Sequence, residues 1–143
     1  MPGRFEVVGH DPLTIVDGAH NPGGMVALAD ALRAELDGRR LVAAISILDD
    51  KDAAGMLRAL LPLCAEVITC ANANPRALSP ATLQSLVTQL GGPAVRTVAQ
   101  PHAALEAARA AAGPGGVALA TGSIYLVADL RADTGRDRVR STL

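Results

Sequence analysis

The stretch Ile15-Val16-Asp17-Gly18-Ala19-His20-Asn21-Pro22 decides how the rest of the chain is organised. The apolar residues at its start are followed directly by the carboxylate of Asp17, Gly18, the imidazole of His20 and the amide of Asn21. A segment with periodic apolar residues then covers residues 25–36. An apolar run followed by helical periodicity predicts a buried strand that enters a helix through a tight turn. Ligands of open α/β sheets bind where such turns leave the carboxyl edge of the sheet, so the polar residues of this turn predict a site.

Each residue of this turn also has a purely structural explanation. Asn21 suits the N-cap of the helix and Pro22 suits its first turn, where the missing N–H costs nothing. Gly18 suits the turn geometry, Asp17 can accept hydrogen bonds from nearby backbone N–H groups, and His20 can be a satisfied loop histidine. Taken singly, these residues leave both interpretations open.

Strands and helices alternate along the whole chain. The predicted strands cover residues 5–8, 13–16, 41–47, 66–70, 95–98 and 117–120, and the predicted helices cover residues 22–37, 53–61, 79–90, 101–112 and 123–131. This alternation predicts an α/β domain with three layers and a Rossmann-like, mostly parallel sheet of about six strands, the first two pairing as a hairpin. We expect one domain over residues 1–131 and a polar C-terminal tail over residues 132–143.

The composition argues against several classes of function. A formal net charge of −1 over 143 residues gives neither a basic surface for nucleic acid nor a polybasic membrane patch. The sequence has no apolar run of the about 20 residues that a membrane span requires, and no signal peptide. Cys64 and Cys70 lack metal-ligand spacing, and we interpret them as buried thiols of a cytoplasmic protein, without a disulfide and without a metal site.

Right-handed crossovers place every strand-to-helix loop at one edge of the sheet. The polar residues that this topology gathers there are Asp17, His20, Asp50, Lys51, Arg76 and Ser123. Lys51 and Arg76 would form a positive rim suited to carboxylates or phosphates, and Ser123 begins a helix whose free N–H groups favour an anion. A solvated Lys51 paired with its flanking aspartates, and a Ser123 that only caps its helix, remain open alternatives.

The string Asp17-Gly18-Ala19-His20-Asn21-Pro22 resembles the signature of the C-terminal domain of folylpolyglutamate synthase/dihydrofolate synthase, in the Mur ligase superfamily of ATP-dependent amide-bond-forming ligases. Four more segments resemble motifs of this family in the same order: Gly3-Arg4-Phe5-Glu6, Leu48-Asp49-Asp50-Lys51-Asp52, Asn74-Pro75-Arg76-Ala77 and Thr121-Gly122-Ser123-Ile124-Tyr125. The resemblance covers about residues 2–131. Ser46 departs from it, because the family commonly has glycine there.

The family's enzymes also carry an N-terminal ATPase domain with a glycine-rich phosphate loop. This sequence contains no G-x-x-x-x-G-K-[ST] string. The resemblance therefore implies that this chain is the second part of a ligase and that the ATPase domain is its partner. We expect the chain to have no ligase activity in isolation.

The resemblance implies nucleotide-binding roles for residues near the first site. Asp17 would accept hydrogen bonds from the ribose hydroxyls of ATP, Arg4 would approach the phosphates, and Asn21 would contribute to nucleotide binding. His20 would be a catalytic residue close to the reacting end of the cleft. Magnesium would be held mainly by the absent domain.

The resemblance also implies a place for the second substrate. Lys51 and Ser123 would hold the carboxylates of the incoming L-glutamate, with Lys51 acting in catalysis as well, and Arg76 would be a further substrate contact. The implied reaction is attack of the glutamate amine on an acyl phosphate made from ATP and the carboxylate of dihydropteroate or folate. Positioning and charge stabilisation would be the contributions of this domain.

Two other hypotheses come from different classes. The missing phosphate loop motivates a stand-alone binding or interaction domain that keeps the ligase fold without catalysis. A dinucleotide-binding Rossmann domain is disfavoured, because the turn lacks G-x-G-x-x-G and pyrophosphate could not approach its backbone in the usual way. Under the ligase hypothesis, Asp17→Ala is expected to leave the fold intact, since a loop carboxylate contributes little to the core.

Overall fold

The computed structural model of the chain describes residues 3–141, and the side chains of residues 3–132. The strands are β1 (Glu6–Gly9), β2 (Leu13–Asp17), β3 (Leu41–Ile45), β4 (Glu66–Thr69), β5 (Ala94–Thr97) and β6 (Val117–Thr121). The helices are α1 (Pro22–Leu36), α2 (Ala53–Leu60), α3 (Pro80–Gln89), α4 (Pro101–Ala112) and α5 (Ile124–Ser141), with a short 3-10 helix over Leu61–Leu63. The predicted α/β fold with a six-stranded sheet is confirmed.

The strands lie in the order β1-β2-β6-β3-β4-β5, so the last strand of the sequence is inserted between the second and the third. All neighbouring strands are parallel except β1, which forms the predicted antiparallel hairpin with β2. At the carboxyl edge, Thr121 of β6 lies opposite Asp17 of β2 and Ile45 of β3. The loops after β2, β6 and β3 therefore leave the sheet side by side.

Two apolar layers cover the sheet. On one face, α1, α2 and α3 pack against residues such as Ile15, Ala43 and Leu119. On the other face, α4 and α5 pack against the alternate residues of the same strands, including Val16 and Ala118. The second layer is rich in alanine, so α4 approaches the sheet closely without any aromatic residue. Burial on both faces explains why the central strands are almost continuously apolar in sequence.

Most element boundaries agree with the sequence-based expectation to within one residue, and two differ by more. β3 ends at Ile45, two residues before the predicted end, and the N–H of Ser46 makes one further hydrogen bond to the carbonyl of Thr121. α5 continues to Ser141 instead of ending near residue 131, since charged residues such as arginine are good helix formers. Of the predicted polar tail, residues 142–143 and the side chains of residues 133–143 lie outside the described residues.

Among the described residues, no helix combines the length and the apolar character needed to cross a membrane. Cys64 and Cys70 are free and buried, as predicted. Burial raises the pKa of each thiol to about 12, because the thiolate would lose its hydration, and the nearby Asp129 carboxylate adds to this effect at Cys70.

The raised thiol pKa values predict that both cysteines are inert in the folded protein. At pH 8 a thiol with a pKa near 12 is ionised in only about one molecule in 10⁴, and the thiolate is the reacting form. We expect no measurable reaction of the native chain with an aromatic disulfide reagent at pH 8, and two reactive thiols per chain in concentrated urea. Rapid labelling of the native chain would show that one cysteine is accessible.

Candidate functional site

The carboxylate of Asp17 joins the start of the chain to the loop after β2. Its Oδ2 accepts a hydrogen bond from the N–H of Phe5 at 2.8 Å, and its Oδ1 accepts one from the N–H of Ala19 at 2.8 Å. The N–H of Gly18 in turn donates to the carbonyl of Gly3 at 2.5 Å. Asp17 is only 8% exposed. The structural alternative for Asp17 is thus realised, although an ionised carboxylate has further lone pairs that could accept from a ligand.

His20 and Asn21 are exposed at the end of the same loop. The Nδ1 of His20 lies 2.9 Å from the carbonyl oxygen of Gly18, so Nδ1 is the donor and Nε2 is left as the acceptor of the neutral ring. The Oδ1 of Asn21 accepts from the N–H of Gly24 at 2.6 Å, which is the predicted N-cap of α1. Its side-chain NH₂ makes no hydrogen bond with a described residue, and remains a donor for a ligand.

A cavity of about 550 Å³ brings together Arg4, Asp17, His20 and Asn21. It lies between α1, α5 and the segment Gly3–Phe5, and its walls include Ile124 and Val127 of α5. Most of the α1 residues in its wall are small, and the spacing of Gly24, Ala27 and Ala31 on one helical face is a signal in the sequence that could have predicted this wall. The four residues that the sequence analysis assigned to a nucleotide site therefore line one cavity.

Lys51 lies in the loop between β3 and α2, and it is the single lysine of the chain. Its flanking aspartates are engaged elsewhere: Oδ1 of Asp52 caps α2 by accepting from the N–H of Gly55 at 2.9 Å, and Asp49 and Asp50 both pair with Arg76. Lys51 is half-buried and forms no ion pair with any residue that the structure describes. The alternative of a lysine paired with its flanking aspartates is therefore not what the structure shows.

Arg76 reaches this loop from the segment after β4. Its Nε lies 3.3 Å from Oδ1 of Asp49, and its Nη2 lies 3.4 Å from Oδ2 of Asp50. The backbones are joined as well, because the N–H of Asp49 donates to the carbonyl of Arg76 at 2.8 Å and the N–H of Leu78 donates to that of Ile47 at 2.9 Å. Arg76 is thus placed at the predicted rim, but with its guanidinium shared between two carboxylates.

Ser123 and Gly122 form the turn from β6 into α5. Ser123 is 1% exposed, and its Oγ accepts a hydrogen bond from the N–H of Tyr125 at 3.0 Å. Ser123 therefore caps the start of α5, as one of the two sequence-based interpretations predicted. Gly122 has a φ of +112°, and a Cβ there would collide with the carbonyl oxygen of Ser46. Ser46 is itself fully buried, with its Oγ accepting from Nδ2 of Asn72 at 2.8 Å. The hydroxyl of Ser46 therefore helps to fix the segment after β4.

The loops of this edge pack against one another. A Cβ built on Gly18 would lie 3.1 Å from Cγ2 of Ile124, and one built on Gly55 would lie 3.1 Å from Cγ of Pro22. The first turns of α1, α2 and α5 consequently lie at one end of the sheet, where their N–H groups favour an anion. Beneath them, Oγ1 of Thr121 is the one buried side-chain polar atom among the described residues that lacks a hydrogen-bond partner.

The side chains that could ligate a metal ion are scattered. Within the part of the chain that the structure describes, no three residues of the types His, Cys, Asp and Glu group together as a metal site.

Comparison with known proteins gives the family to which the domain is similar. A family model described as "Mur ligase, glutamate ligase domain" matches residues 3–124. A curated relative from Haloferax volcanii, a probable bifunctional folylpolyglutamate synthase/dihydropteroate synthase, is 41% identical over 141 residues, which cover 99% of this chain. The chain spans only 17% of the length of that relative.

Solved structures resemble the domain closely. The Mycobacterium tuberculosis folylpolyglutamate synthase complexed with ADP and AMPPCP superposes with a TM-score of 0.85 and 36% identity, over 92% of this chain and 32% of that one. A bifunctional folylpolyglutamate synthase/dihydrofolate synthase with Mn, AMPPNP and L-glutamate bound has a TM-score of 0.82 and 32% identity, over 94% of this chain and 32% of that one.

The bonds of Asp17 predict that its removal destabilises the domain. Asp17→Ala leaves the N–H groups of Phe5 and Ala19 without their partner, and we expect the free energy of unfolding to fall by about 2–4 kcal/mol. Asp17→Asn keeps one acceptor oxygen and should lose about half as much. Urea denaturation followed by circular dichroism measures both. An unchanged midpoint for Asp17→Ala would restore the sequence-based expectation that this carboxylate is dispensable for the fold.

The turn at Gly122 predicts a position that tolerates no side chain. Gly122→Ala combines a positive φ with a backbone collision, and should cost about 3 kcal/mol or more of unfolding free energy. Gly38→Ala is the matched control, because Gly38 has a φ of +81° and nothing within 4 Å of its built Cβ. That control should cost about 1–2 kcal/mol. Equal losses for both variants would mean that the approach of Gly122 to Ser46 is relieved easily.

Proposed function

The chain belongs to the Mur ligase family of glutamate ligase domains, and on this premise we propose that it is the C-terminal domain of an ATP-dependent ligase that adds L-glutamate to dihydropteroate or folate. The observation that carries the proposal is the Lys51 ammonium, which lies in the loop that starts α2 at the carboxyl edge of the sheet and has no carboxylate partner among the described residues. A ligand with carboxylates suits this charge pattern. The similarity to folylpolyglutamate synthases supports glutamate as that ligand.

Lys51 is proposed to bind a glutamate carboxylate through a charge-assisted hydrogen bond. Ser123 still has its hydroxyl proton to donate, since its Oγ acts as an acceptor towards Tyr125. Arg76 is not a free cation here, because Asp49 and Asp50 share its guanidinium.

The cavity between α1 and α5 is proposed to take part of the nucleotide. Asp17 would accept from the ribose hydroxyls with the lone pairs that its two backbone partners leave open, and the Asn21 NH₂ would donate. Arg4 is exposed at the mouth of the cavity and would approach the phosphates. The ATPase domain would supply the phosphate loop and hold magnesium, which polarises and neutralises phosphate oxygens when bound.

In the proposed reaction, the glutamate amine attacks the carbonyl carbon of an acyl phosphate, inorganic phosphate leaves, and the amine nitrogen loses a proton as the amide forms. This domain contributes orientation of the amine, through Lys51 at the far carboxylate, and exclusion of water when the two domains close. His20 lies in the cavity with Nε2 as an acceptor, so it is proposed to act at the reacting end of the cleft.

The single lysine permits a direct binding test. Reductive methylation with ¹³C-formaldehyde labels Lys51 and the terminal amine, whose resonances separate, so one side-chain signal reports on the site. Titration with L-glutamate in the presence of AMPPNP should shift the Lys51 signal in a saturable way. D-glutamate at the same concentration is the matched control. A contrary result would be a Lys51 signal that does not shift with L-glutamate, together with backbone amide signals of residues 17–21 that do not shift with nucleotide. That result would favour the hypothesis that the chain is a stand-alone interaction domain.

Kinetics of a complete ligase test the assignment of Lys51. In a chimera where this chain replaces the matching domain of the Mycobacterium tuberculosis relative, Lys51→Ala should raise the KM for glutamate about 10–100-fold, as expected for one lost charge-assisted hydrogen bond. The KM for ATP should change less than about twofold, because Lys51 lies outside the nucleotide cavity. Arg58→Ala, which removes the same charge at the other end of α2, is the matched control. Equal effects on glutamate and ATP would contradict the assignment.

A further inference from the structure

We propose that Arg76 is a positioning residue that keeps Lys51 free for its ligand by holding the carboxylates of Asp49 and Asp50. The inference deepens the proposed function, since the ligand of Lys51 is the glutamate carboxylate proposed above. It replaces the expectation that Arg76 contacts the substrate directly.

The geometry shows one guanidinium serving two carboxylates. The Nε of Arg76 donates a hydrogen bond to Oδ1 of Asp49 at 3.3 Å, and its Nη2 forms an ion pair with Oδ2 of Asp50 at 3.4 Å. The short backbone ladder described above, with Leu48 bridging to Ala77, sets the position of Arg76 beside the aspartates. Direct recognition of a substrate carboxylate by the same face of the guanidinium would require both ion pairs to break.

The sequence around Lys51 explains why such a device is needed. Residues 49–52 read Asp-Asp-Lys-Asp, so three carboxylates and one ammonium give a formal charge of −2. Asp52 is occupied as the N-cap of α2, while Asp49 and Asp50 have side chains that are 55% and 36% exposed. Without Arg76, these two carboxylates, which adjoin Lys51 in the sequence, would be released to compete for its ammonium and would repel an incoming dicarboxylate.

Arg76 therefore acts in two ways. It brings the formal charge of the loop from −2 to −1, and it holds two solvent-accessible carboxylates towards the segment after β4. Arginine suits this position better than lysine, because its planar fork can engage two carboxylates at once, whereas an ammonium is a point charge.

The first experiment observes Lys51 without any ligand. In the ¹³C-methylated 143-residue chain, Arg76→Ala should shift the Lys51 methyl resonance, because the ammonium pairs with the released aspartates. The triple variant Arg76→Ala/Asp49→Asn/Asp50→Asn should return the resonance to its original position. A Lys51 resonance that Arg76→Ala leaves in place would overturn the inference, whatever glutamate does. Because the backbone ladder does not use the guanidinium, the variants should fold, and circular dichroism checks this.

The second experiment uses glutamate affinity. Arg76→Ala should weaken the L-glutamate response at Lys51 about tenfold, Arg76→Lys should restore it only in part, and the triple variant should recover the original affinity to within about twofold. A triple variant as weak as Arg76→Ala would mean that Arg76 binds the substrate itself.

The two experiments separate the failure of this inference from that of the proposed function. If the unsubstituted chain ignores L-glutamate while the ligand-free resonance still follows Arg76 and the aspartates, the glutamate assignment fails and the positioning role stands.

Discussion

The buried carboxylate of Asp17 joins the start of the chain to the carboxyl edge of the sheet. Asp17 accepts hydrogen bonds from Phe5 and Ala19, one oxygen each, and so binds the entering chain to the turn that starts α1. Arg4 lies between the two anchored residues Gly3 and Phe5, and its position depends on those bonds. Asp17 would therefore have two roles in the proposed function. Its carboxylate would accept hydrogen bonds from a ribose, and its bond to Phe5 also fixes the position of Arg4, which would approach the phosphates.

Most of the fold could be predicted because its signals are local. Capping residues marked two helix starts in the sequence, and Asn21 and Ser79 are both observed as N-caps whose side chains accept a backbone N–H. The insertion of β6 between β2 and β3 was not predictable in the same way. Strand order depends on which sheet edge the last crossover reaches, and that is decided by packing between residues far apart in sequence.

In the candidate site, too, the local features were predictable from the sequence and the long-range contacts were not. The residues that are neighbours in sequence, from Asp17 to Asn21, were found together and are together in one cavity. The hydrogen-bond and ion-pair partners of the site residues were not predicted. An aspartate side chain can pair with any nearby donor, and the tertiary structure decides which donor is near. The pairing of Asp49 and Asp50 with Arg76, and the reliance of the fold on Asp17, both depend on such long-range partners.

The central position of β6 has a consequence for how the chain is made. β2 and β3 do not pair with each other, and both receive their shared neighbour only when residues 117–121 have been synthesised. A nascent chain leaving the ribosome can therefore form the β1–β2 hairpin and the β3–β4–β5 unit, but must hold the gap between them open. Because these contacts join segments far apart in sequence, the insertion of the last strand is expected to be the slow step of folding.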